Sequence, residues 1–189
     1  MAKAKDRVLP SLPVGTWAIL GLLTFGEQSG YDLQKLVEAS VGHFFSPAKS
    51  QIYSELRRLV QLGYAREREV AQTDRPDKRN YTITDAGEAA LRRWLDESPL
   101  EEDSFKSPFL VKVFFGRFMD RDRLIDQVRE YRDRTAAELK ELEALEPTLR
   151  DQPAVAFPYL TLRAGLSSCR HSLRWCDEVL KALQEEVMT

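Results

Sequence analysis

The sequence predicts a mainly α-helical protein built in two parts, and three observations carry that expectation. The first half sets three short helices ahead of two strand-like runs and a fourth helix. An acidic, proline-bearing stretch then interrupts the chain. Everything beyond it reads as helix and ends in an apolar repeat with alternating spacings of four and three. At 189 residues, 43% hydrophobic and 31% charged, the chain can bury two small cores and has the composition of an ordinary globular protein. No run approaches the roughly 20 apolar residues that span a bilayer. The basic start, Met1-Ala-Lys-Ala-Lys5, is followed by no long apolar segment, so no secretory signal is expected and the cytoplasm is the expected location.

The elements of the first half follow from caps and breakers. Leu12-Pro13 precedes the apolar run Trp17 to Leu23, a buried helix that should end near Phe25-Gly26. Ser29-Gly-Tyr-Asp32 has the capping-box pattern, in which the serine oxygen accepts from an early backbone N–H and Asp32 reaches back. The helix it opens buries Leu33, Leu36 and Val37 and stops at Gly42. Ser46-Pro47 reads as the next start, an N-cap serine with proline at the first helical position, and that helix should run to Leu62-Gly63. Tyr64 to Val70 and Asn80 to Ile83 then read as strands around the polar turn Gln72 to Arg79. Thr84 caps a fourth helix whose apolar face carries Leu91, Trp94 and Leu95. Three helices and then a hairpin is the order of a winged helix-turn-helix, expected over residues 1–95.

Residues 96–107 read as a linker, and 108–189 as an all-helical dimerisation domain that could also hold an effector. Phe109 to Phe118 is strongly apolar. Asp120 to about Glu146 is long and charged, with Pro147 and Pro153 marking the loop after it. On the last helix Leu162, Leu166, Cys169, Leu173, Cys176, Leu180, Leu183 and Val187 form the a/d seam of a coiled coil. So long a seam needs a partner, and a second copy of the chain is the economical one.

Charge divides the same way. Residues 1–95 hold fourteen Lys and Arg against eleven Asp and Glu; residues 96–189 hold fourteen against nineteen. The basic half is where nucleic acid would bind. On the third helix Ile52, Leu56 and Leu59 share a core face, while Ser46, Lys49, Ser50, Tyr53, Ser54 and Arg57 lie on another, with hydroxyls, a phenol and two cations but no carboxylate. Such a face can donate to phosphates and reach base edges in a major groove of double-stranded DNA. Glu55, on a neighbouring face, would have to point away. The turn supplies Arg75, Lys78 and Arg79, suited to backbone or minor groove.

These motifs together resemble the PadR family of bacterial regulators. The resemblance rests on Ser29-Gly-Tyr-Asp-Leu33, on Ser46-Pro47 leading into Gln51-Ile-Tyr-Ser-Glu-Leu56, on Arg75 to Tyr81, and on Thr82-Ile-Thr-Asp-Ala-Gly87. Arg93-Trp-Leu95 and Ser107 to Gly116 are similar to longer members with a virulence-activator type C-terminal domain. The resemblance implies a homodimer that binds an inverted-repeat operator, usually represses, and lets go when a small effector binds. It assigns DNA contacts to Tyr53, Ser50 and Gln51 and wing contacts to Arg75 and Lys78, with Lys49 setting operator preference. It also implies that the C-terminal helices pair with the partner chain. Some relatives take phenolic acids or flat drugs between aromatic rings, which makes Trp94 the candidate effector contact; His171 and Arg174 could meet a carboxylate.

Other classes are less well served. A winged helix used only for protein contact would have no use for the polar face. An enzyme finds no support in two histidines and no phosphate loop, and no cofactor or metal is expected, since Cys169, Cys176, His43 and His171 form no ligand cluster. Seven residues apart on one helix, the cysteines sit about 10 Å apart in rise, too far to bond within that helix. They are expected to be buried apolar groups, although an intermolecular bond is open to paired helices.

Overall fold

The computed structural model describes residues 10–42, 44–70, 78–100, 106–152 and 155–185. The chain divides into two units, Met1–Glu101 and Glu102–Thr189. In the first, α1 (Val14–Leu22) is apolar on all sides because it lies in the middle of the unit, with Trp17, Ile19 and Leu20 fully buried. It tightens into a 3-10 turn, Leu23–Phe25, and stops on Gly26 at φ +118°, a conformation open to glycine. After β1 (Gln28–Ser29), α2 (Gly30–Ala39) opens with the expected capping box: Asp32 N donates to Ser29 Oγ at 3.2 Å and Ser29 N to Asp32 Oδ2 at 3.2 Å. It closes three residues before Gly42, whose N–H donates to Val37 O at 2.8 Å.

The third helix, α3 (Lys49–Gln61), starts later than expected. Ala48 is its N-cap residue, and Ser46 and Pro47 lie in the extended approach. The cause is upstream. Phe45 N donates to Val41 O at 2.7 Å, and the Phe45 ring lies against Gly15 of α1, 3.3 Å from where a Cβ would stand there. The chain is thus pinned to α1 before the helix can begin. At the far end Gly63 takes φ +74° and ends α3 as anticipated.

The hairpin is part of a three-stranded antiparallel sheet in the order β1-β3-β2. β2 (Ala65–Val70) pairs with β3 (Lys78–Ile83) from Ala65↔Ile83 to Val70↔Lys78, and β1 adds Gln28↔Tyr81 and Ser29↔Asn80. The sequence carries no sign of β1, because two residues leave no periodicity and Ser29 reads as a cap. Lys78 and Arg79, read as turn, belong to β3. Thr84 caps α4 (Asp85–Glu97), accepting from Gly87 N at 3.1 Å. Leu91 and Trp94 of α4 meet the core, whereas Leu95 is 65% exposed. Leu33, Val37, Ile52, Leu56, Leu59, Ala65 and Tyr81 join the α1 residues in one continuous cluster.

In the second unit Ser107 caps a short α5 (Pro108–Phe114), accepting from Leu110 N at 3.2 Å. The expected helix to Phe118 breaks there into a 3-10 turn, Gly116–Phe118, and a Cβ on Gly116 would lie 2.9 Å from Leu124 Cδ2. α6 (Arg121–Leu149) and α7 (Ala156–Gln184) form an antiparallel hairpin, each about 43 Å long at 1.5 Å per residue. Arg170 pairs with Glu143 at 2.9 Å and Arg132 with Asp177 at 2.7 Å along it.

Two expectations change here. Pro147 does not end α6 but sits inside its last turns. It forfeits one backbone bond, which Arg150 N to Glu146 O at 3.0 Å, the Arg150–Glu146 ion pair at 2.7 Å and the packing of Leu145 and Leu149 offset. The α7 seam also finds its partner within the chain. Leu162, Leu166 and Cys169 pack on Leu142 of α6, while Cys176, Leu180 and Leu183 join Leu124 and Val128. Leu173 is half-buried, and Val187 lies outside the described residues. A 29-residue helix antiparallel to α7 covers the seam that seemed to require a second copy. Both cysteines are free and buried, and burial pushes both thiols up, against thiolate chemistry.

Candidate nucleic-acid interface

α3 has two faces because its apolar residues recur at 52, 56 and 59 while its polar ones fall between. Ile52, Leu56 and Leu59 are fully buried in the first unit's core. Lys49, Ser50, Gln51 and Arg57 are exposed, and Tyr53 and Ser54 are half-buried. Ser54 Oγ donates to Gln51 O at 2.8 Å, so its hydroxyl proton is used within the helix. The Gln51 amide leans toward α1: its Nε2 lies 3.4 Å from where a Cβ on Gly15 would stand. Ser46 is exposed three residues ahead of the helix, off the stripe to which it was assigned.

Glu55, the sole carboxylate of α3, is withdrawn from the polar face. It is 5% exposed and accepts from Thr16 Oγ1 at 2.6 Å and from Arg58 Nη1 at 2.9 Å, and Arg58 also reaches Thr16 at 3.3 Å. A buried carboxylate is tolerable only when paired and hydrogen-bonded, and this one is both. The triad ties α3 to α1 and leaves Lys49 and Arg57 as cations on a face without an anion.

The strands complete the surface. Tyr81 of β3 is buried, and its hydroxyl is pushed up by that burial, with Glu67 adding; Arg79, Tyr53 and Arg57 are its other charged or phenolic neighbours. Of the wing cations, Lys78 forms an ion pair with Asp32 at 2.9 Å, and Arg79 reaches Glu67 at 3.8 Å. Arg75 lies outside the described residues. Asp32, which the sequence marks only as a capping residue, is the partner of Lys78. Its carboxyl is held down to about 2, first by the Ser29 hydroxyl at 2.7 Å and then by Lys78. Glu27 makes a similar tie, accepting from Asn80 and Arg68 at 2.6 Å each.

Trp94 is half-buried and stacks on Trp17, ring centroids 5.4 Å apart and 9° from parallel. One ring face is thus committed to the core.

Residues 19–93 match the transcriptional regulator PadR-like family, and residues 105–184 match the virulence activator alpha C-terminal family. The chain is 33% identical over 183 residues to the probable transcriptional regulator Rv1176c of Mycobacterium tuberculosis, covering 89% of this chain and 97% of that one. It is 29% identical over 177 residues to the negative transcriptional regulator PadR of Bacillus subtilis, covering 90% and 97%. The crystal structure of Bacillus subtilis PadR with operator DNA superposes with a TM-score of 0.78 at 30% identity, over 90% of this chain and 99% of that one. The same protein with p-coumaric acid gives 0.70 at 28% identity, over 95% and 100%. With both family matches in chain order and relatives similar over nearly their whole length, the chain belongs to the PadR-like family of transcriptional regulators.

Proposed function

We propose that this regulator binds an inverted-repeat operator in double-stranded DNA as a homodimer, represses there, and is released by a small aromatic effector. The observation that carries the reading is the carboxylate-free face of α3, with Lys49, Ser50, Tyr53 and Arg57 outward and Glu55 drawn in to Thr16 and Arg58. Tyr53, Ser50 and Gln51 serve as base and phosphate contacts, and Lys49 tunes operator preference. Arg75, Lys78 and Arg79 serve the wing, Lys78 exchanging Asp32 for a phosphate. The solved complex of the Bacillus subtilis relative with operator DNA supports DNA as the partner.

A dimer is what a helix-turn-helix needs to read two half-sites. Since the Leu162 to Leu183 seam is covered by α6, it shapes the hairpin that a second copy grips. The apolar surface left for that copy includes Leu110, Val111, Phe114 and Phe115 around α5 and Phe157 and Leu160 at the start of α7. For the effector, the p-coumaric acid complex of the relative supports an aromatic acid, with Trp94 offering its ring face away from Trp17.

The test is selection of duplexes from a random pool, followed by a salt titration of the winner. The expected outcome is a sequence-specific dimer complex whose affinity falls steeply with salt. Tyr53→Ala and Arg75→Ala should each weaken it while leaving the dimer intact. A wild-type protein that prefers no duplex over random DNA at low salt would end the reading.

A further inference from the structure

We propose that Gly30 is a positioning residue for DNA reading: lacking a side chain at the first position of α2, it opens the slot that holds the Tyr53 ring. The inference rests on the role given to Tyr53 above. A Cβ built at residue 30 would lie 2.4 Å from Tyr53 Cε1 and 2.7 Å from Cζ, the ring edge that bears the hydroxyl. The three atoms nearest to that Cβ all belong to the Tyr53 ring, and the backbone itself does not demand glycine. Gly26 and Gly63 are the glycines with positive φ, and Gly30 takes an ordinary helical backbone.

Gly87 shows what a glycine required by the fold looks like. A Cβ there would stand 2.1 Å from the Tyr64 carbonyl oxygen, backbone that cannot step aside. At Gly30 the obstacle is the far end of one side chain, which can rotate at modest cost. A methyl group at residue 30 therefore leaves α2 and its cap in place and expels the Tyr53 ring from its seat against Gly30. The glycine in the Ser29-Gly30 step thus sets where a phenol on the neighbouring helix presents its hydroxyl.

The experiment uses the full chain and a duplex selected by the wild-type protein from a random pool. Gly30→Ala should melt close to wild type, remain a dimer and lose about tenfold or more in affinity, as a misplaced contact does. In a Tyr53→Ala background the same substitution should cost less than about twofold, because the ring it displaces is gone. A second readout needs no DNA. In protein labelled with 3-fluorotyrosine, the Tyr53 resonance, assigned with Tyr53→Phe, should move in Gly30→Ala while those of Tyr131 and Tyr159 stay in place. An additive double variant, an unmoved resonance or wild-type affinity in Gly30→Ala overturns the inference and leaves the proposed function standing. If Gly30→Ala does not fold, Tyr53→Ala must restore folding; failure to do so also overturns it. A wild-type protein without sequence preference fails at the earlier step, and the proposed function falls first.

Discussion

The two units solve the problem of burial differently. The N-terminal unit gathers Trp17, Leu20, Leu33, Ile52, Leu56 and Leu59 into one cluster and ties its charges in pairs, Glu55 with Arg58, Asp32 with Lys78, Glu27 with Arg68. The C-terminal unit has two small clusters along a helical hairpin and leaves Phe114 82%, Phe118 74% and Phe157 81% exposed. Exposed apolar patches of that kind mark candidate interaction surfaces. One unit carries the carboxylate-free face of α3; the other carries the most exposed phenylalanine rings.

Separating the units is the strongest way to break this comparison. A fragment ending at Glu101 should fold and sediment as a monomer, and its operator affinity should fall by about a hundredfold or more, since two linked half-site contacts become one. Analytical ultracentrifugation and fluorescence anisotropy check both halves. A fragment that dimerises as tightly as the full chain would assign assembly to the wrong unit.

Paired substitutions sharpen the same contrast. Leu56→Ala empties a fully buried site and should cost the N-terminal unit about 2–5 kcal/mol in denaturant unfolding. Phe114→Ser removes a ring already in water and should change the unfolding of the isolated chain by no more than about 0.5 kcal/mol. It should nevertheless raise the dimer dissociation constant. An undisturbed dimer would mean that another surface makes the contact.

What the sequence disclosed follows the same division. Caps with a hydrogen-bonding side chain, Ser29 and Thr84, mark α2 and α4 because local chemistry decides those boundaries, whereas Ser107, read as the end of the linker, caps α5. α3 escaped, since its start at Lys49 depends on Phe45 packing against α1, a contact 30 residues away in the chain. The α7 heptads were legible as a seam, but a periodicity states only that a helix covers it, not whose. α6 was too charged to present itself as the partner, its buried residues being only Leu124, Val128, Thr135 and Leu142. On the candidate face the residue types were legible, yet the commitments of Lys78 and Glu55 come from tertiary neighbours that no spacing reveals.

Thr16→Val probes the buried triad with a smaller effect. The substitution keeps the shape and removes the donor that holds Glu55 at 2.6 Å, which should cost about 1–3 kcal/mol. Operator affinity of the folded fraction should stay near wild type, because the triad lies on the side of α3 away from the polar face. A large loss of affinity at full folding would show that Glu55 has swung outward, placing an anion among Lys49 and Arg57.

Asp32→Asn should have the smallest effect on stability and an opposite one on binding. In the folded chain the Asp32 carboxyl lies at about 2 against a usual 3.8. A depressed carboxylate contributes stability that is present above about pH 4 and disappears as pH falls through 2. The group is 39% exposed, so solvent screening limits the contribution to about 0.5–1 kcal/mol, the range of a cap and a surface pair. Urea unfolding at several pH values should show wild type above the variant at pH 7 and the two converging near pH 2. In DNA binding the sign reverses. Removing the carboxylate frees Lys78 and deletes a negative charge beside it, so low-salt affinity should rise and the salt dependence should steepen. If affinity falls in step with stability, the Asp32–Lys78 pair braces the wing for DNA, and the ion pair belongs to the bound state as well as to the free one.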